Sequence, residues 1–292
     1  MLNSDLEQVA RWTDARDRIA SAESDTMAAM LHEQSQGTRR RVVRMIQAAG
    51  AGHIGGDFSV TDILTTLFNG VLRIDPGAPD WPQRDRFILS KGHCSAALYA
   101  TLSSCGYFSA AELTTFMQPL SSLNGHPNRN EVPGVETNTG PLGHGLPVGV
   151  GQAIGTRILG YPSRVFVVVG DGEMQEGSNW EALMAASQFD LENLTVVIDR
   201  NGLQQGARTE DTNALEPLAD RLAAFGAEVR EVSGHDHLAL IEALRPSTTG
   251  RPVAVIAHTI KGKGISFMED RVEWHHKVPT AEQVERSLEE LA

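Results

Sequence analysis

Two short β-branched runs that do not alternate with polar residues constrain this chain most. They are Arg164-Val165-Phe166-Val167-Val168-Val169 and Leu194-Thr195-Val196-Val197-Ile198, and each stops at a polar cluster flanked by glycine. Runs of this kind are buried on both faces and pair as parallel strands. The clusters are Gly170-Asp171-Gly172 and Asp199-Arg200-Asn201-Gly202, and Glu176 to Phe189 between them reads as a crossover helix. In such a β-α-β unit the carboxyl ends of neighbouring strands share one crevice, where ligands bind. Asp171 and Asn201 then offer two oxygens to one hard cation. Mg²⁺ takes few protein oxygens and completes its shell with water and phosphate, so a phosphate-bearing ligand is implied. A lone Gly-Asp-Gly is equally well a tight turn. The Asn after the next strand, the helix between, and the acidic Glu173 and Glu176 favour the metal.

Three further strands are expected, at Arg86 to Leu89, Glu228 to Glu231 and Pro252 to Ala257. Helices are expected at Leu2 to Gln36, Thr38 to Ala49, Ser59 to Phe68, Ser95 to Ser104, Val148 to Leu159, Leu215 to Phe225, Asp236 to Leu244 and Ala281 to Leu291. Strands alternating with helices predict an α/β fold: a doubly wound, mostly parallel sheet with helices on both faces. The strands are too few for a second domain of similar size. Residues 1–292 therefore read as one domain, with 1–37 a helical extension and 258–292 a terminal loop and helix. The apolar positions of Leu2 to Gln36 are sparse, which suggests packing on a partner. Residues 121–147, rich in Gly, Pro and Asn, form a long structured loop, and loops of that length are usually functional.

The net charge of −12 argues against a nucleic-acid surface, because phosphate neutralisation needs a Lys/Arg face. No apolar run approaches the roughly 20 residues of a membrane span. The N-terminus lacks the apolar core of a signal peptide. Cys94 and Cys105 are too few for a disulfide scaffold and suit a reducing cytoplasm.

Four histidines, His53, His93, His126 and His144, each follow a glycine at or beyond the end of an element. Glycine there lets the backbone approach a ligand closely. One such imidazole alone would read as structural. Four in the same context point to convergence at the carboxyl end of a parallel sheet. Imidazole suits proton shuttling on hydroxyls near neutral pH. A zinc site is the rival, but no pair shows the helical i, i+4 or Cys-x-x-Cys spacing that zinc uses.

The stretch from Gly170 to Gln205 resembles the thiamine diphosphate fingerprint, and more closely the diphosphate-binding half of transketolase. Asp85 to His93 is similar to that family's DRF-LS-GH segment, and Pro133 to Gly143 to its PG-E--TGPLG segment. The resemblance runs from about Arg39 to His275. It implies thiamine diphosphate and Mg²⁺, with Ca²⁺ or Mn²⁺ able to substitute. Asp171, Asn201 and the Leu203 carbonyl would hold the metal. Gly170, Gly172, Glu173 and His93 would lie at the diphosphate, and Gly140 and Leu142 against the cofactor's rings. His53, His126 and a late histidine would bind sugar hydroxyls and move protons. His275 is the choice for the late one, and His258 is a further candidate near the cofactor. The chain departs from the family at Ile54-Gly55-Gly56-Asp57, at His144 and at Lys261-Gly262-Lys263-Gly264, all expected around the substrate mouth.

A full transketolase carries a pyrimidine-binding domain, with the Glu that protonates the pyrimidine, and a third domain behind it. The resemblance therefore implies that a separate chain supplies that Glu, in an α₂β₂ assembly acting on sugar phosphates. The expected activity is transfer of a two-carbon ketol unit from a ketose phosphate to an aldose. Three alternatives stay open here. One is another thiamine enzyme, related to deoxyxylulose-phosphate synthase or to the α subunit of an oxo-acid dehydrogenase. Another is a non-catalytic regulatory subunit, and the last is a phosphate-binding module without thiamine.

Overall fold

The computed structural model describes residues 1–292. The apolar runs pair side by side as expected. Strands β1 (Arg86–Leu89), β2 (Val165–Gly170), β3 (Leu194–Arg200), β4 (Glu228–Ser233) and β5 (Val253–His258) form one sheet in the order β1-β2-β3-β5-β4. Every pairing is parallel, with Val168 opposite Val197 and Gly170 opposite Asp199. The helices are α1 (Leu6–Ser21), α2 (Ser24–Ala49), α3 (Ile54–Thr66), α4 (Ser95–Cys105), α5 (Gly145–Ile158), α6 (Gly177–Gln188), α7 (Thr209–Thr212), α8 (Leu218–Ala224), α9 (His237–Ala243) and α10 (Ala281–Glu290).

Strand side chains alternate between faces, and here the alternation divides the interior in two. Phe166, Val168, Val197 and Val255 pack with Val42 of α2, Phe58 of α3 and Leu98 of α4. Val165, Val167, Val196 and Ile256 pack with Val150 of α5, Leu183 of α6 and Leu222 of α8. Helices thus cover both faces. The central strands are buried almost from end to end because neither face meets water.

Several expected boundaries move, most of all in the first three helices. A first helix to Gln36 and a second from Thr38 were expected, but α2 runs unbroken through Gly37 and the chain breaks instead at Ala22-Glu23. A mid-helix glycine costs about 1 kcal/mol against alanine and packing overrides it. At the break, Ser21 Oγ donates back to the carbonyls of Asp17 and Arg18, a local bond that competes with helix continuation. The sparse apolar positions of this segment are covered within the chain, since Trp12, Ile19 and Leu31 are all buried. The third helix starts at Ile54 rather than at Ser59. Ser59 therefore lies inside the helix and cannot cap it, and its hydroxyl is directed at Asp199.

Helix α5 lies so close to β2 that a Cβ on Gly149 would stand 2.4 Å from Val167 Cγ2. Valine in a strand is stiff and fully enclosed here, so it cannot give way. Gly149→Ala therefore destabilises by about 1–3 kcal/mol despite alanine's better helix propensity. Urea unfolding checks this. An unchanged or raised midpoint would contradict the close packing of α5 on β2.

Candidate active site

The carboxyl ends of β1, β2, β3 and β5 open into one cleft of about 360 Å³. Only Leu142 and Leu203 among its lining residues are hydrophobic, so the cleft is suited to a polar ligand. Most of the wall is made of strand exits and a helix start. Lys91 and His93 follow β1, Gly170 ends β2 and Asp171 to Glu173 follow it, Asn201 and Leu203 follow β3, and Lys261 follows β5. His53 stands at the N-terminus of α3. Gly140 and Leu142 come from the long loop before α5. That loop is held against the exit of β1 so tightly that a Cβ on Gly92 would overlap Thr139 Oγ1 at 1.9 Å.

The histidines converge. The ring centroid of His53 lies 5.0 Å from His93, 5.5 Å from His275 and 4.7 Å from His276, and His93 stacks on His275 at 5.6 Å. His126 completes the group, with Nδ1 3.0 Å from Thr139 Oγ1. Burial pushes the His53 imidazolium down to about 4, helped by His276, His126 and Lys261. Burial and then Lys261 push His275 down to about 3. Burial and Lys91 hold His93 well below its ordinary value, and burial lowers His126. His53, His93, His126 and His275 are therefore held as neutral rings at pH 7. A neutral ring can donate from one nitrogen and accept at the other, which suits binding of sugar hydroxyls and proton transfer.

Beneath the rings lies a buried ion pair. Lys91 Nζ donates to Asp199 Oδ2 at 2.5 Å, with both side chains almost wholly out of water. Ser59 Oγ donates to the same oxygen at 2.6 Å, and Thr259 Oγ1 donates to Oδ1. Burial opposes the charge of Asp199, but Lys91 and these donors outweigh it and hold the carboxyl below its usual range. Burial likewise opposes the charge of Lys91, and Asp199 outweighs it. Glu173 is a second strut. Its Oε1 accepts from Ser90 Oγ and from the Gly143 amide at 2.9 Å, and its Oε2 accepts from the Gly170 amide at 3.0 Å. One carboxylate thus ties together the exits of β1 and β2 and the loop before α5.

The proposed metal oxygens share this cleft. Asp171 Oδ2 accepts from the Gly202 amide at 2.7 Å and from Arg200 Nη1 at 3.0 Å. Asn201 Oδ1 accepts from the Leu203 amide at 3.1 Å, and the Leu203 carbonyl accepts from Lys261 Nζ at 3.2 Å. Burial and the charge of Asp199 raise the Asp171 carboxyl above its ordinary value. A nearby divalent cation would relieve both effects. No three His, Cys, Asp or Glu side chains gather as a metal cluster. One carboxylate, one amide and one carbonyl form a hard-oxygen set of low charge, which fits Mg²⁺ completed by phosphate oxygens.

Of the residues singled out from sequence, His53, His93, His126, His275, Gly140, Leu142, Gly170, Asp171, Gly172, Glu173, Asn201 and Leu203 all line the cleft. His258 does not. It ends β5 with an exposed side chain, its Nε2 3.0 Å from Glu231 Oε2. Strand alternation turns its side chain away from the cleft, while Thr259 beside it reaches Asp199. His144 is also outside, with Nδ1 3.0 Å from the Leu142 carbonyl. Sequence reasoning missed Lys91 and Asp199 as a pair, because nothing in a sequence marks a contact between residues so far apart. It also missed Gln175, Gln204 and Gln205 at the cleft rim.

Lys91→Met should cost about 3–5 kcal/mol, because it leaves the Asp199 carboxylate buried without a counter-charge. The double change Lys91→Met with Asp199→Leu should recover part of that loss. Urea unfolding of both variants checks the pair, and a Lys91→Met protein as stable as the parent would contradict it. The lowered imidazoles set a pH dependence. In the unfolded chain they take up protons near pH 6.5, but in the folded chain His53 does so only near 4 and His275 near 3. Stability they contribute is full above about pH 6.5 and is lost as the pH falls toward about 4. Imidazole NMR resonances of the folded protein report this directly. Titration of His53 and His275 near 6.5 would contradict the burial of the cluster.

Comparison with known proteins agrees with this geometry. The family described as "Transketolase, thiamine diphosphate binding domain" matches residues 32–291. The chain is 46% identical over 264 residues to one subunit of the apulose-4-phosphate transketolase of Phocaeicola vulgatus, covering 90% of this chain and 94% of that one. It is 36% identical to SqwG, a 6-deoxy-6-sulfo-D-fructose transketolase subunit from a Clostridium species, covering 89% of this chain and 96% of the relative. Its fold superposes on the transketolase of Campylobacter jejuni with a TM-score of 0.85 at 31% identity, spanning 89% of this chain but 42% of that one. This chain belongs to the transketolase family and carries that family's thiamine diphosphate-binding domain.

Proposed function

We propose that this chain is the diphosphate-binding half of a two-chain transketolase. In that assembly it transfers a two-carbon ketol unit from a ketose phosphate to an aldose. The observation that carries this is the meeting of four neutral histidines with the oxygens of Asp171, Asn201 and Leu203 in one cleft. When bound, thiamine diphosphate supplies the electron sink for carbon–carbon bond cleavage. Asp171, Asn201 and the Leu203 carbonyl hold Mg²⁺ against the diphosphate, and Gly170 and Gly172 admit the phosphates close to the backbone. His93 contacts the diphosphate, and Glu173 holds that loop cluster in register. Gly140 and Leu142 lie against the organic rings. His53, His126 and His275 bind the sugar hydroxyls, taking or giving the proton at a ring nitrogen. His258, exposed and paired with Glu231, takes no part in this set.

The second chain supplies the Glu that activates the pyrimidine, and the two form an α₂β₂ tetramer. Support comes from relatives that are named as single subunits of a transketolase and that this chain spans almost wholly, against the 42% it spans of a longer transketolase. Cys94 and Cys105 are both free and buried, which supports placing the enzyme in the reducing cytoplasm. No helix is long and apolar enough to cross a membrane. Relatives named for apulose 4-phosphate and for 6-deoxy-6-sulfo-D-fructose support a branched or modified ketose as donor.

The test is Mg²⁺-dependent binding of thiamine diphosphate to the assembled enzyme. Asp171→Ala and Asn201→Ala should each weaken it at least about tenfold, since each removes one oxygen of a small ligand set. His53→Ala and His126→Ala should leave cofactor binding near normal and cut turnover by about 10²–10⁴-fold. Parental binding in both metal-site variants would show that the cation sits elsewhere.

A further inference from the structure

His276 belongs to the histidine group of the cleft but has no role in the set described above. Its ring meets His53 at 4.7 Å, closer than His93 at 5.0 Å or His275 at 5.5 Å. His126 bonds to Thr139 and His275 to Lys261, whereas the His276 side chain has no hydrogen-bond or ion-pair partner in the chain. His53, His93 and His275 are half-buried and His276 is exposed. The rings thus step outward from His93 to His53 to His276, from the diphosphate end of the cleft to its rim.

The rim at this point favours an anion. Lys277, next to His276, is also exposed and without an ion pair, and its Nζ is held 4.5 Å over the ring of buried Trp274. The acids of the same segment are all engaged elsewhere. Glu269 sits 3.2 Å from Lys263, Asp270 3.1 Å from Arg208, and Glu273 3.7 Å from Arg271. The charges that bear most strongly on His53 are His276, His126 and Lys261, and those on His275 are Lys261, His53, Lys91 and His276, with no carboxylate among them. In a chain of net charge −12 this is a local reversal of sign, and such a patch draws anions to itself. A ketose phosphate has its reacting carbonyl near one end and its phosphate at the other. With the carbonyl at the cofactor and the hydroxyls passing His53, the phosphate comes out at His276 and Lys277. An imidazole N–H can donate to a phosphate oxygen, and a lysine supplies a point charge.

We propose that His276 and Lys277 bind the phosphate of the donor ketose at the rim of the cleft, His276 through a ring N–H and Lys277 through its charge, and so select phosphorylated over free sugars. This rests on the reading of the chain as one half of a ketol-transferring enzyme. The phosphate takes no part in the bonds that break and form, so its contacts persist from ground state to transition state. Contacts of that kind act on KM rather than on kcat.

The experiment compares ketose phosphates with the corresponding free ketoses as donors to the assembled enzyme. The panel holds xylulose 5-phosphate, fructose 6-phosphate and branched ketose phosphates, and the pair that the parent turns over fastest is used for the variants. The readout is the ratio of kcat/KM for the phosphorylated donor over the free one. His276→Ala should lower this ratio about tenfold, mostly through KM, the size of a lost hydrogen bond to a charged group. Lys277→Met should lower it about threefold, since an exposed charge contributes less. His276→Arg, which keeps a donor and a charge, should hold the ratio near the parent's, and His276→Glu should lower it further than His276→Ala. Thiamine diphosphate affinity, read by calorimetry with Mg²⁺, should stay parental in all four, because the cofactor lies below His53. A parental ratio in His276→Ala would overturn the assignment. So would equal losses in His276→Ala and His276→Arg, a fall in cofactor affinity, or a parent enzyme that uses free and phosphorylated donors alike. A parent that transfers a ketol unit from no donor of the panel would instead sink the ketol-transfer reading, and this inference with it.

Discussion

The pair between Lys91 and Asp199 holds the site together. Asp199, next to last in the central strand, has no exposure to water, and its two oxygens take bonds from the exit of β1, from Ser59 on α3 and from Thr259 after β5. Four segments distant in sequence meet on one carboxylate. The sheet alone would align the strands, but it would not set the direction of the loops that leave them. Asp199 does that below the cleft, and Glu173 does it at the side, joining Ser90, Gly143 and Gly170. A buried ion pair adds little net stability, since desolvation offsets attraction. Its consequence here is geometric: it fixes where His93, Asp171 and Lys261 begin.

The electrostatics of the cleft follow from burial. Four imidazoles crowd together with two lysines below them, and each cation discourages protonation of the next ring. Neutral rings keep one donor and one acceptor each, which serves sugar hydroxyls better than a ring fixed as a cation. Asp171 shows the opposite effect, with its carboxyl raised by burial and by the charge of Asp199. Histidines short of a proton and a carboxylate reluctant to ionise fit a site that a divalent cation and a polyanion would complete. Together with its membership of the transketolase family, this supports one half of a thiamine enzyme's active site.

Much of this was legible in the sequence, and the parts that were not have physical reasons. Val165 to Val169 and Leu194 to Ile198 announced buried parallel strands, because only burial on both faces removes alternation. Gly-Asp-Gly and Asn201 announced the crevice, and the Gly-His pairs announced three of the cleft's rings. The fourth, His275, came from resemblance alone. His258 was placed wrongly because its neighbours in sequence reach the site, while strand alternation turns its own side chain outward. The unbroken helix through Gly37 was hidden because propensity is local and the packing that overrides it is not. Lys91 and Asp199 each stood in plain view, but a pair formed across so long a stretch of chain has no local pattern.

The claim on which the rest stands is that this chain forms half of a thiamine diphosphate enzyme. Native mass spectrometry of the chain, purified gently from its source cells, measures that directly. The account predicts a complex holding two copies of this chain, two of a second chain, and thiamine diphosphate with Mg²⁺. Recovery of the chain alone or as a homo-oligomer, without the cofactor, would contradict it.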